Sequence, residues 1–290
     1  MNRIPRPNYN DNQALQTLAQ NTGAGSYPNL QPAVVPIQAG YQQYEAVGGN
    51  AFQVLPVPLT EDQAAFLKGH YRQPNADLPH IDELRDARAY QVCPMCGSLH
   101  SGTLDHLLPQ ADYPEFAIFS LNLVPACKCN LIRQNVFKGV PPGERILHPY
   151  FDACLSDRLV AAQFTDLGEV PNVALKILVD AAHPEYEAVE FHVRTVVQRT
   201  AVEDYLSDRW TSFCRKPSLV IRALAQPVLN AQSLEAVLRE ELDLLDDLHR
   251  GKNSWNSIFV AGLLDPSVRV WLFERLTEPG RAADAPLIGL

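Results

Sequence analysis

Apolar and polar positions along this chain fall into a weakly patterned front and a strongly patterned back. Residues 1–58 carry seven prolines among Gly, Asn and Gln, and "NTGAGSYPNLQPAVVPIQAG" has no helical period. The pattern predicts an extended, partly disordered arm with short strands at "PAVVPIQ" and "AFQVLPV". Thr60 is a good N-cap before "EDQAAFLKGHYRQ", which has acids in its first turn, so a helix is expected there. "PHIDELRDARAY" predicts a second short helix leading into a pair of cysteines.

Further along, "RLVAAQFTD" and "NVALKILVD" read as strands joined by "LGEVPN". From Tyr186 to Lys216 the period is helical, with Val193, Val196, Val197 and Val202 on one side. "SLEAVLREELDLLDDLHRGK" predicts an amphipathic helix with Ser233 as its N-cap, and its early glutamates and late basic residues agree with the helix dipole. "NSWNSIFVAGLLDPSVRVWLFERL" predicts one or two more helices, and the tail "TEPGRAADAPLIGL" reads as frayed.

Composition narrows the class. The 290 residues are 46% hydrophobic, enough for a core, and no run approaches ~18 uninterrupted apolar residues, so no membrane span is expected. "MNRIPRPNYNDNQ" has no apolar signal region, and a cytoplasmic location follows by default. A net charge of -9 argues against coating nucleic acid through bulk charge. The stretch from Cys93 to Arg145 is neutral, with Lys128, Arg133, Lys138 and Arg145 balancing Asp105, Asp112, Glu115 and Glu144.

That stretch holds four of the six cysteines, Cys93-Pro-Met-Cys96 and Cys127-Lys-Cys129. In a reducing compartment, two close pairs point to metal more than to disulfides. Four thiolates close a tetrahedral structural zinc site, with His100 as an alternative fourth ligand. Cys154 and Cys214 read as small core residues. Between the pairs, "TLDHLLP" reads as a strand carrying Asp105 and His106, and "LNLVPACKCNLIRQ" as a loop, the second knuckle and a helix beginning near Asn130. Asp105 offers oxygen to a hard cation, and His106 offers a base to water. His148, His183, His192 and the acids at 243–247 read as packing or surface groups.

In order, Asp105-His106, Pro109, Asn122-Leu123 and Cys127-Lys-Cys129-Asn130 resemble the HNH endonuclease family, over about residues 90–138. Arg133 stands where many members carry Lys. The resemblance implies an α+β chain with a ββα-metal core stabilised by structural zinc on Cys93, Cys96, Cys127 and Cys129. An extended N-terminal arm and a mainly helical C-terminal region would flank it. The expected divisions are 1–58 (arm), 59–140 (nuclease domain with leading helices) and 141–290 (partner-binding, substrate-binding or oligomerisation region). His106 matches the general base, and Asp105 and Asn130 match ligands of one magnesium or manganese ion. Asn122 matches the residue that orients the loop between the strands. The expected activity is hydrolysis of phosphodiester bonds, of DNA in preference to RNA, with a protein partner or a second copy engaged through the C-terminal region. A bacterial antiviral-defence or mobile-element setting follows from the same resemblance. Two departures stand out: the second knuckle is one residue short of the usual spacing, and Asn130 replaces a final His. The alternative class is a non-catalytic zinc scaffold in a protein adaptor.

Overall fold

A computed structural model describes residues 1–86 and 91–288. Among these, the fold is mixed, with ten α-helices and two small antiparallel sheets.

The front of the chain is helical and folded, which corrects the expectation of an extended arm. Helix α1 (Asp11–Gln20) is capped by the Asn10 side chain and buries Leu15, Leu18 and Ala19. Helix α2 (Val34–Ala46) occupies the predicted "PAVVPIQ" strand and buries Ile37, Gly40, Tyr41 and Tyr44, a spacing of one helical face. A Cβ on Gly40 would lie 2.6 Å from a Val57 methyl, so α2 lies close against the segment from 50 to 58. That segment contains no strand, and "AFQVLPV" is turn and coil. Ahead of α1, Asn2 N–H donates to Pro94 O and Ile4 N–H to Pro149 O, and Met1 is fully buried.

The next two helices are as predicted. Helix α3 (Glu61–Arg72) starts at a reciprocal capping box between Thr60 and Gln63. Helix α4 (Pro79–Arg85) follows, and the remainder of its predicted span at 87–90 lies outside the described residues. Strands β1 (Thr103–His106) and β2 (Leu123–Ala126) pair antiparallel, with Asp105 opposite Val124 and His106 opposite Leu123. Helix α5 (Cys129–Arg133) follows β2 after two residues. These elements share one hydrophobic core with α1 and α2.

A second core gathers the rest. The predicted hairpin is present as β3 (Val160–Thr165) and β4 (Asn172–Ile177), with Val160 opposite Ile177. The long helical period resolves into α6 (Tyr186–His192), a π-helical turn at Val193–Val197, and α7 (Val202–Arg215). Helix α8 (Ala231–His249) begins three residues earlier than predicted. Its N-cap is Asn230, with Ser233 returning a hydrogen bond to the Asn230 backbone, so Ser233 is the inner half of a capping box and not the cap. Helices α9 (Trp255–Leu263) and α10 (Pro266–Leu276) complete the layer. Up to residue 288 the tail is not frayed: Leu287 is buried, its N–H donates to Cys214 O, and Asp284 accepts from the Ser218 N–H and hydroxyl. No described helix is long and apolar enough to cross a membrane.

Candidate metal centre and the Asp105–His106 site

The four clustered cysteines converge at the open end of the β1–β2 hairpin, one pair preceding β1 and the other following β2. Cys93 and Cys96 sit in a turn that Gly97 closes at φ +80°, a left-handed conformation that favours glycine. A Cβ there would also strike Asn253 O at 2.1 Å and the Met1 nitrogen at 2.6 Å. Trp255 clamps the same turn: its N–H donates to Gly97 O and its indole N–H to Cys96 O, both at 2.9 Å. Cys127 follows β2 directly, and Cys129 opens α5. All four sulfurs lie within 4.8 Å of one another, with Cys93 Sγ 3.7 Å from Cys129 Sγ and Cys96 Sγ 3.4 Å from Cys127 Sγ. A tetrahedral zinc with bonds near 2.3 Å sets its sulfurs ~3.8 Å apart, so this set fits that ion.

The one-residue spacer of the second knuckle is accommodated because Lys128 takes a helical conformation. The Cys129 N–H then donates to Cys127 Sγ at 3.3 Å, and the Cys127 N–H donates to Cys93 Sγ at 3.3 Å. Such donors favour thiolate. Hydrogen bonds from Cys129, then Cys93 and Cys96, pull the Cys127 thiol toward the ionised form, while burial pushes Cys93 well above the ordinary thiol range. His100 is not part of the quartet. Cys214 is buried and Cys154 half-buried, apart from the cluster.

Strand β1 sends alternate side chains to opposite faces, Leu104 and His106 inward and Thr103 and Asp105 to the half-exposed side. His106 is 5% exposed; its ring meets Tyr71 edge-on at 4.1 Å, and Nε2 lies 2.9 Å from Ala117 O. With Nε2–H donating to that carbonyl, Nδ1 is the acceptor nitrogen, and it has no hydrogen-bond partner among the described residues. Burial lowers the His106 pKa below the ordinary histidine value; Ala117 O and Asp105 oppose the shift, and Arg133 and Arg85 add to it.

Asn122 is fully buried, and its amide closes the loop between the strands. Oδ1 accepts from Leu108 N–H at 2.9 Å and Tyr44 O–H at 3.1 Å, while Nδ2 donates to Leu108 O and Phe116 O at 3.1 and 3.2 Å. Asn130 is half-buried in the first turn of α5, and its Oδ1 accepts from the adjacent Leu131 N–H at 2.8 Å. The Asp105 side chain is 21% exposed, and its Oδ2 accepts from Arg133 Nη2 at 2.8 Å. Arg133 is the main participant that sequence reasoning did not assign; a buried guanidinium needs an acid, and Asp105 was the acid available in the cluster.

His148 and His192 have structural bonds on both ring nitrogens. His148 Nδ1 accepts from Tyr150 N–H, and its Nε2 meets Leu121 O and Tyr44 Oη at 3.1 Å. His192 links Leu147 N–H to Met95 O and so ties α6 to the first knuckle. His183 is exposed and accepts the Glu185 N–H.

These features define an α+β protein with a buried tetracysteine cluster that could hold zinc, beside a strand–strand–helix unit. The chain is similar to protein ea31 of Escherichia phage lambda, 35% identical over 82 residues, which is 24% of this chain and 28% of the phage protein. The likeness thus spans less than a third of that relative's length. No protein-family model matches the chain, and no solved structure matches it.

Proposed function

We propose that this chain is an HNH-type endonuclease that hydrolyses phosphodiester bonds of DNA, with His106 as general base. The observation that carries the reading is the placement of His106 at the end of β1. There, one ring nitrogen is committed to Ala117 O and the other has no described partner, beside a carboxylate and a zinc-type knot. Burial keeps the imidazole neutral at ordinary pH, the form that accepts a proton.

His106 Nδ1 removes a proton from water as the water oxygen bonds to phosphorus, and the bond to the 3′ oxygen breaks. The product end carries a 5′ phosphate. Asp105 and Asn130 would hold magnesium or manganese through hard oxygen donors. Asp105 Oδ1 has no hydrogen-bond partner among the described residues, and an amide oxygen such as that of Asn130 keeps a second lone pair. A divalent cation bound there would supply charge stabilisation to the phosphate and the leaving oxygen. Asn122 holds the loop whose Ala117 carbonyl fixes the His106 tautomer.

Contacts of this kind go to phosphate and sugar and carry no sequence information, so target choice falls to the acidic flanks or to a partner. RNA is the alternative substrate, since the 2′-OH is read by surrounding residues. The 82-residue similarity to a phage protein fits a mobile-element setting. The burial of His106 and the pairing of Asp105 with Arg133 favour the second reading, a non-catalytic zinc scaffold.

Cleavage of supercoiled plasmid by wild type and His106→Ala at equal zinc content, with magnesium, manganese or EDTA, separates the two. Metal-dependent nicking lost in the variant supports the nuclease. No cleavage by zinc-loaded wild type on DNA or RNA, with or without the product of a neighbouring gene, supports the scaffold.

A further inference from the structure

The pairing of Asp105 with a buried guanidinium admits a more specific account than scaffold packing. We propose that Arg133 is a positioning residue: it holds one oxygen of Asp105 so that the other is presented to the divalent cation. It also locks the far end of α5 to β1. This inference rests on the nuclease reading above.

Arg133 is the last residue of α5 and is 2% exposed. Its guanidinium spans four acceptors: Nη2 donates to Asp105 Oδ2 at 2.8 Å and His106 O at 3.0 Å, and Nη1 donates to Val136 O at 3.1 Å and Leu107 O at 3.4 Å. The Val136 carbonyl can return to it because Gln134 turns the chain at φ +57°. Three main-chain carbonyls would satisfy the N–H groups, but they do not neutralise a buried cation. Asp105 does, and it is the acid that the resemblance makes a metal ligand. With Oδ2 committed, the carboxylate plane is fixed and Oδ1 is left for a ligand.

The helix is thereby pinned at both ends. Cys129 ties its first residue to the sulfur cluster, and Arg133 ties its last to β1. Asn130 lies between them, three residues before Arg133, so it shares that side of the helix. The separation of Asp105 from Asn130 is therefore set by two anchors. Lysine at 133 would keep the charge but lose the planar fork that reaches strand, loop and carboxylate together. Loss of an outer-shell partner of this kind typically weakens metal affinity ~10–100-fold.

The test is manganese binding followed by electron paramagnetic resonance on the zinc-loaded full chain, as wild type, Asp105→Asn, Arg133→Lys and Arg133→Met. The expected result is one manganese site in wild type, lost in Asp105→Asn and weakened ~10–100-fold in Arg133→Lys at unchanged zinc content. A purely structural Arg133 would lower the melting temperature and leave manganese affinity in the folded fraction untouched; that result overturns the proposal and leaves the cation reading standing. Wild type that binds no manganese overturns both. Should the Arg133 variants fail to fold, nitrogen NMR of wild type decides: manganese must broaden the Arg133 guanidinium signals, and unbroadened signals overturn the proposal.

Discussion

Asn122 makes four hydrogen bonds in a site closed to water, two as acceptor and two as donor. Asn122→Asp removes both donors and sets a carboxylate against the Leu108 and Phe116 carbonyls, so a loss of about 2–4 kcal/mol is expected in urea denaturation. An unchanged midpoint would mean that the loop does not depend on this amide. His106 makes a prediction of opposite character. A base acts when unprotonated, and burial lowers this pKa, so the acid limb of cleavage should fall below pH 6.5. A limb above that value would assign the base elsewhere. The residue types at this site were legible because their order along the chain is itself a pattern. Their partners were not: Tyr44 lies 78 residues from Asn122, and Arg133 lies 28 from Asp105, separations at which no local periodicity operates.

At the level of elements, the cysteine cluster and short-range capping do most of the ordering. Helix α5 has five residues, far below the length at which a helix holds alone, so its geometry comes from Cys129 at one end and Arg133 at the other. Cys129→Ser should release zinc and lower the melting temperature sharply, whereas Cys154→Ser should retain one zinc per chain. Equal zinc in both variants would remove the cluster from the account. Helix α3 could be read from sequence because its capping box is local. Helix α2 resembles a strand in sequence because Val34, Val35 and Pro36 open its first turn, with Pro32 just ahead of it. Ile37, Gly40, Tyr41 and Tyr44 carry the helical spacing, and burial against Val57 and Phe116 overrides the β-branched start. Ser233 reads as a cap in the sequence because Ser and Asn are both good N-caps. What decides is which side chain meets which N–H, and here Asn230 Oδ1 meets Ser233 N–H.

Across the whole molecule, two hydrophobic cores meet at the first cysteine turn. Met1 belongs to the second core, Ile4 to the first, and His192 reaches from α6 to Met95. Sequence composition hid this, because a Pro-rich front that threads across another layer looks like an arm until its contacts are known. Gly97 stands at the junction, and Gly97→Ala should cost at least about 1–3 kcal/mol from its left-handed φ alone, with the Asn253 and Met1 contacts added. Acid should loosen that junction at His192 and the first core at His148. Burial drops both His148 and His192 to about 3, against 6.5 for an ordinary histidine. The unfolded chain therefore binds more protons than the folded one between those values, and stability present above pH 6.5 drains away as pH falls toward 3. Asp11 and Glu115, raised by burial, act in the opposite sense. A urea midpoint clearly lower at pH 4.5 than at pH 7 is expected, and a flat profile would deny that these histidines are held neutral.

If the sulfur knot holds a working base at His106, chemical rescue should reveal it. His106→Gly, loaded with zinc to the wild-type level, is assayed on labelled duplex DNA with manganese while free imidazole is titrated in. The variant should be inert alone, imidazole should restore cleavage in proportion to its unprotonated form, and the products should carry 5′ phosphates. A variant as active as wild type without imidazole, or a zinc-loaded wild type inert on DNA and RNA under every metal condition, would contradict that role for His106.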